Sequence, residues 1–156
     1  MSIIAITSLS SLLTTSGLIG SDIIIKTMLN VSANLINSVN YLKIISEKDI
    51  NLQKLLIRSD IIQDIIIIKS FIEENQNKSH TILSCISNLK DTMEELETNI
   101  SSITEKIKSH DKLWFKYFRY YDISYEKEEI PILIEKLRHR FNMCIKISSL
   151  KIDTLS

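Results

Sequence analysis

The sequence predicts an all-α protein: an elongated helical bundle of four to five helices, with a coiled-coil-like helix over about 79–110 and a C-terminal antiparallel helical hairpin. Three observations carry this expectation. Only 2 Gly and 1 Pro occur in 156 residues, too few for the many tight turns of sandwiches, barrels and phosphate-cradling α/β folds. Hydrophobic residues make up 44% of the chain and 31 of them are Ile, enough to build a core and to argue against intrinsic disorder. Apolar residues also recur at 4-3 spacing over long stretches, which is the period of one helix face.

The elements follow in order within one domain spanning 1–156. Residues 1–20 carry no charged side chain, and the first charge is Asp22. Ala5, Leu9, Leu12, Ser16, Ile19 and Ile23 fall on one narrow stripe, so this stretch reads as an uncharged N-terminal helix. Roughly half of it is Ser, Thr or Gly, which is too polar for an ordinary spanning helix, and it lacks the basic start of a signal peptide. Contact with a membrane through 1–20 is the alternative to packing against protein.

Gly17 and Gly20 before Ser21-Asp22 combine a helix stop with an N-cap signal. A second helix over 22–45 is expected to bury Ile24, Met28, Val31, Leu35, Val39, Leu42 and Ile45, with outward positions that are mostly Asn and Ser. Ser46 and Asp49 have capping-box-like spacing. Residues 50–74 form the third element, completing an apolar helical hairpin over 22–75. Hydrophobics cover most of the helical circumference around 61–72, which predicts a central place in the bundle. The run Ile65–Ile68 would also suit a buried strand, but no other segment offers it a partner.

After the polar loop 73–78, Ser79 caps the cleanest pattern in the chain. Ile86, Met93, Ile100 and Ile107 occupy heptad a positions, and Ile82, Leu89, Leu96 and Ile103 occupy d. The flanking e and g positions are mostly polar, among them Lys90, Thr92, Glu97, Asn99 and Lys106. As a helix, 79–108 spans about 45 Å at 1.5 Å per residue. A compact globule of this length is only about 39 Å across, so the molecule is expected to be elongated. The last helix starts between Ser124 and Pro131, with Pro131 in its first turn, and packs antiparallel on its predecessor within a hairpin covering 79–150.

Composition and motifs also bound the function. The net charge is zero, with 19 Lys+Arg against 19 Asp+Glu, which argues against a basic nucleic-acid binder. The segment 112–121 is still notable. Its aromatics Trp114, Phe115, Phe118 and Tyr121 interleave with Lys112, Lys116 and Arg119, a pattern suited to capping the bundle, anchoring a protein partner or stacking bases. Asp111 and Asp122 offset its basic charge. His80/Cys85 and His139/Cys144 share an i, i+5 spacing that points each pair to different helix faces, against a zinc site. In an antiparallel hairpin Cys85 and Cys144 come to one level, as buried thiols or, if oxidised, as a disulfide. Arg138-His139-Arg140 reads as a solvated face with Arg138 near Glu135.

No Gly-rich phosphate loop, nucleophile elbow, catalytic triad or di-iron carboxylate pattern is present. The expectation is a non-enzymatic structural or interaction protein with no cofactor, no metal and no small-molecule substrate. Its partner is another copy or a different chain, reached through Ile82, Ile86, Leu89, Met93, Leu96, Ile100, Ile103, Ile107 and the aromatics Trp114, Phe115, Phe118 and Tyr121. Two cysteines favour a reducing intracellular compartment or an assembled particle over secretion. The Ile, Lys and Asn bias matches AT-rich coding of the kind found in large DNA viruses, so a viral particle is among the assemblies expected.

Overall fold

The computed structural model describes residues 17–75, 79–113 and 120–150. These residues build five helices: α1 (Gly17–Ile45), α2 (Ile50–Arg58), α3 (Ile61–Glu74), α4 (His80–Asp111) and α5 (Ser124–Leu150). Helices α2 and α3 form one broken column, so the architecture is a four-column bundle. The expected N-terminal helix over 1–20 lies almost wholly outside the described residues.

Four pairings close the bundle: α1 with α2 and α3, α1 with α4, α4 with α5, and α3 with α5. Side-chain contacts give their directions. Ser32 meets Met93, and the Lys108 ammonium sits 4.8 Å over the Tyr41 ring, so α1 and α4 run parallel. Lys106 pairs with Glu126 and Lys136 with Glu95, so α4 and α5 run antiparallel. Asp49 pairs with Lys127 and Asp64 with Arg138, so the α2–α3 column runs parallel to α5. Two antiparallel hairpins, α1–α3 and α4–α5, therefore dock side by side, and α3 and α4 stand diagonally opposite in the bundle.

The core holds one continuous apolar cluster from all four columns. Met28, Leu35, Val39 and Leu42 of α1 are fully enclosed, as are Leu52 of α2 and Ile65 and Ile72 of α3. All eight heptad residues of α4 are buried with them. Two buried serines, one in α1 and one just past its C-terminal end, are satisfied locally. Ser32 Oγ donates to Met28 O at 2.9 Å, with the Met93 sulfur 3.6 Å away, and Ser46 Oγ donates to Leu42 O.

Several local expectations need correction. As described from Gly17 onward, α1 runs through Gly20-Ser21-Asp22 without a stop, because the apolar spacing that follows outweighs the helix cost of two glycines. In α1 it is Ile25 that is buried, while Ile24 and Ile45 pack only at the edge of the core. Asp49 is itself the N-cap of α2, accepting from Leu52 N at 2.9 Å, so the Ser46–Asp49 spacing is not a capping box. The 50–74 column breaks at Ser59-Asp60, where Asp60 takes a left-handed conformation (φ 51°), one that Asp tolerates better than most residues. That column is not central either. Four consecutive isoleucines span about 300° of a helix, so Ile65 and Ile68 face the core while Ile66 and Ile67 point outward. Finally, α5 begins at Ser124, where Asp122 Oδ1 accepts from Ser124 N, which leaves Pro131 inside the helix and beyond its first turn.

The α4–α5 interface and a candidate interaction surface

The heptad residues proposed as contacts are already occupied. Ile82, Ile86, Leu89, Met93, Leu96, Ile100, Ile103 and Ile107 are at most 4% exposed, packed within their own chain between α1 and α5. Trp114, Phe115 and Phe118 lie outside the described residues. Tyr121 is half-buried, with its ring 4.9 Å from His110 and stacked beside Tyr120 at 6.2 Å. Burial and the nearby Asp49 carboxylate push its hydroxyl pKa above the ordinary value. The structure therefore brings the eight heptad residues together, and sets Tyr121 apart from their centre near one end of the bundle.

Beside that seam runs a second stripe of α4, seven residues per step: Cys85, Thr92, Asn99 and Lys106. This stripe faces α5. Arg140 Nη1 donates to Asn88 O at 2.7 Å and to Thr92 Oγ1 at 2.6 Å, while Thr92 Oγ1 donates to Asn88 O at 3.1 Å. Lys106 pairs with Glu126, whose Oε1 also accepts from Ser102 Oγ at 2.8 Å. Glu126 is only 7% exposed. Burial alone would raise its carboxyl pKa, but the hydrogen bonds from Lys106 and Ser102 outweigh this and hold it below the ordinary range. Nearby, Glu95 pairs with Lys136 and Glu94 with Lys90.

On the far side of α5, Arg138 is more than a solvated residue. Its Nε donates to Asp64 Oδ2 at 2.8 Å and its Nη2 donates to Ser59 O. It thus ties the broken α2–α3 column to α5 at the break itself, satisfying a carbonyl left free where α2 ends. Spacing along the sequence offered Glu135 as its partner, and nothing in a single sequence points 74 residues back to Asp64. Among the described residues no three of His, Cys, Asp and Glu converge as a metal site would require.

With the seam filled, outward apolar surface remains on the α1–α3 hairpin, where it is mostly isoleucine, and on α5 and the segment before it, where Tyr120, Tyr125, Ile132 and Leu150 are exposed. Ile44 is 70% exposed, and Ile50 and Ile57 are each 64% exposed. Lys43 O accepts from Gln53 Nε2, which places Ile44 beside α2. Ile50 and Ile57 are seven residues apart, on one stripe of α2. Exposed Ile66 and Ile67 continue outward on α3. Only Asp22, Lys26 and Lys43 are charged in the 29 residues of α1. No described helix is long and apolar enough to cross a membrane. Compared with known proteins, the chain matches no family model, no curated protein and no solved structure.

Proposed function

We propose that this chain is a non-enzymatic helical interaction protein that assembles with a second copy or with another chain through the outer face of its α1–α3 hairpin. One observation carries the reading: Ile44, Ile50, Ile57, Ile66 and Ile67 remain exposed on that hairpin after the bundle has closed on its own core. Single exposed isoleucines are ordinary on a protein surface, but several on one hairpin give a partner helix apolar area to cover. The Asn and Ser residues on the outer side of α1 strengthen the case, because burying them costs less than burying charges.

The seam residues Ile82 to Ile107 act in this reading from within. They hold the bundle rigid so that the hairpin face is presented in one geometry. Sedimentation velocity across micromolar concentrations, combined with cross-linking mass spectrometry, tests the proposal. Concentration-dependent association with cross-links from Lys43, Lys48 and Lys54 is the expected result for self-assembly. A strict monomer that also captures no partner through this face from its native source would overturn the proposal.

A further inference from the structure

Cys85 and Cys144 are the only two cysteines of the chain, and both are free thiols. Their placement follows from the contacts around them. Cys85 lies one heptad before Thr92 on the α4 stripe that faces α5, and Thr92 receives Arg140. Cys144 lies one turn beyond Arg140 on α5. In an antiparallel pair, one turn forward on α5 corresponds to one turn back on α4 from Asn88, whose carbonyl Arg140 also holds. That step arrives at Cys85. The two sulfurs are therefore at one level of the interface, Cys144 fully enclosed and Cys85 half-buried at the edge of the core.

We propose that Cys85 and Cys144 form an oxidation site, at which a low-molecular-weight disulfide such as glutathione disulfide converts the two thiols into a cross-link between α4 and α5. The half-buried Cys85 reacts first. Its thiolate attacks the small disulfide, giving a mixed disulfide on Cys85 and releasing one small thiol. Cys144 then gives up its proton, its thiolate attacks the Cys85 sulfur, and the departing small thiolate takes up a proton as the protein disulfide closes. Two protein thiols become one disulfide while one small disulfide becomes two small thiols, so two electrons and two protons are transferred.

The order of events follows from the environments of the two groups. Burial, with the Cys85 sulfur beside it, pushes the Cys144 thiol up to about 12. It is fully protonated at neutral pH and enclosed, so it serves as the second sulfur and not the first. Cys85 is the one that a reagent in solution can reach. The resulting bond would close a loop of 58 residues that includes the entire α4–α5 connection, which restricts the unfolded chain strongly.

The test uses the folded full-length chain with glutathione disulfide, followed by intact-mass measurement and thermal unfolding. The expected product is a monomer lighter by two hydrogens, with a Tm higher by about 10 °C and reverting with a thiol reductant. Cys144→Ala should stop at the mixed disulfide on Cys85. If that variant fails to fold, Cys85→Ser keeps the test intact, because it alters only the half-buried position and should lose no hydrogens. A stable mixed disulfide on the native chain, covalent dimers, or a protein disulfide formed only after unfolding in urea would each overturn the proposal.

Discussion

Replacing Ile50 and Ile57 together with lysine separates surface association from folding. Both residues lie on one stripe of α2 and each leaves 64% of its surface exposed. Fully covering an isoleucine side chain is worth about 1.5–3 kcal/mol, so covering the exposed part of each contributes about 1–2 kcal/mol. The pair together should supply about 2–4 kcal/mol, roughly 30- to 700-fold in a dissociation constant. Lysine also brings charges that any partner would have to desolvate, which places the expected loss towards the upper end.

Folding should scarcely respond. Neither residue belongs to the core, lysine is at least as good a helix former as isoleucine, and exposed substitutions shift stability by about 0.5 kcal/mol or less. Sedimentation equilibrium of the native and Ile50→Lys/Ile57→Lys chains, with urea unfolding of both, reads the two quantities separately. The reasoning fails if the variant associates as tightly as the native chain. It fails equally if stability falls in step with association, because the two side chains would then be holding the fold itself together.

Four further outcomes are expected. Leu96→Ala, at a fully enclosed seam position, should cost about 2–5 kcal/mol in urea unfolding. Arg138→Leu should cost about 1 kcal/mol and speed amide exchange at 59–64, since it removes both the Asp64 pair and the hydrogen bond to Ser59 O. Asp60→Gly should raise stability by about 0.5–1 kcal/mol by relieving the left-handed conformation, and Asp60→Val should lower it. Burial raises the Asp49 carboxyl pKa, but hydrogen bonds from Lys127 and Leu52 N–H outweigh it and hold the group below its ordinary 3.8, as Glu126 is held below 4.5. Folded values below the unfolded ones mean stability that is present above about pH 4.5 and lost as pH falls through the lowered values. The urea midpoint should therefore drop on acidification, and Asp49→Asn/Glu126→Gln should flatten that dependence.

The fold class and the α4 seam were legible because both rest on spacing alone. Eight apolar residues at 4-3 intervals leave no other face to bury, and all eight are inside. The break at Asp60 was hidden because isoleucines on both sides continue the apolar pattern while the backbone changes course beneath it. The same surplus of Ile misplaced α3, since a helix with apolar residues all round looks central whether or not its neighbours enclose it. Pro131 was expected in a first turn because proline favours that position. The turns before it formed anyway, with Ile123 and Ile130 buried in the core. The cross-bundle ties, Arg138 to Asp64 and Asp49 to Lys127, join residues 74 and 78 apart and depend on which columns are neighbours. The polar stripe from Cys85 to Lys106 was visible as flanking heptad positions, but the face it presents to α5 became evident only from Arg140 and Glu126. The outer isoleucines could not be told from core ones without the fold.

The docking of two hairpins with parallel neighbours also bears on the order in which this chain folds. Each hairpin pairs segments adjacent in sequence, so each can close early. The contacts that join the two hairpins, such as Ser32 with Met93 and Asp64 with Arg138, link residues 61 and 74 apart and must wait for the larger loop to close. In that interval the inner faces of both halves are uncovered, and the α4 seam is open to any matching hairpin nearby. Docking of the two hairpins is the step that covers these faces, so the size of that loop helps set how long they stay exposed.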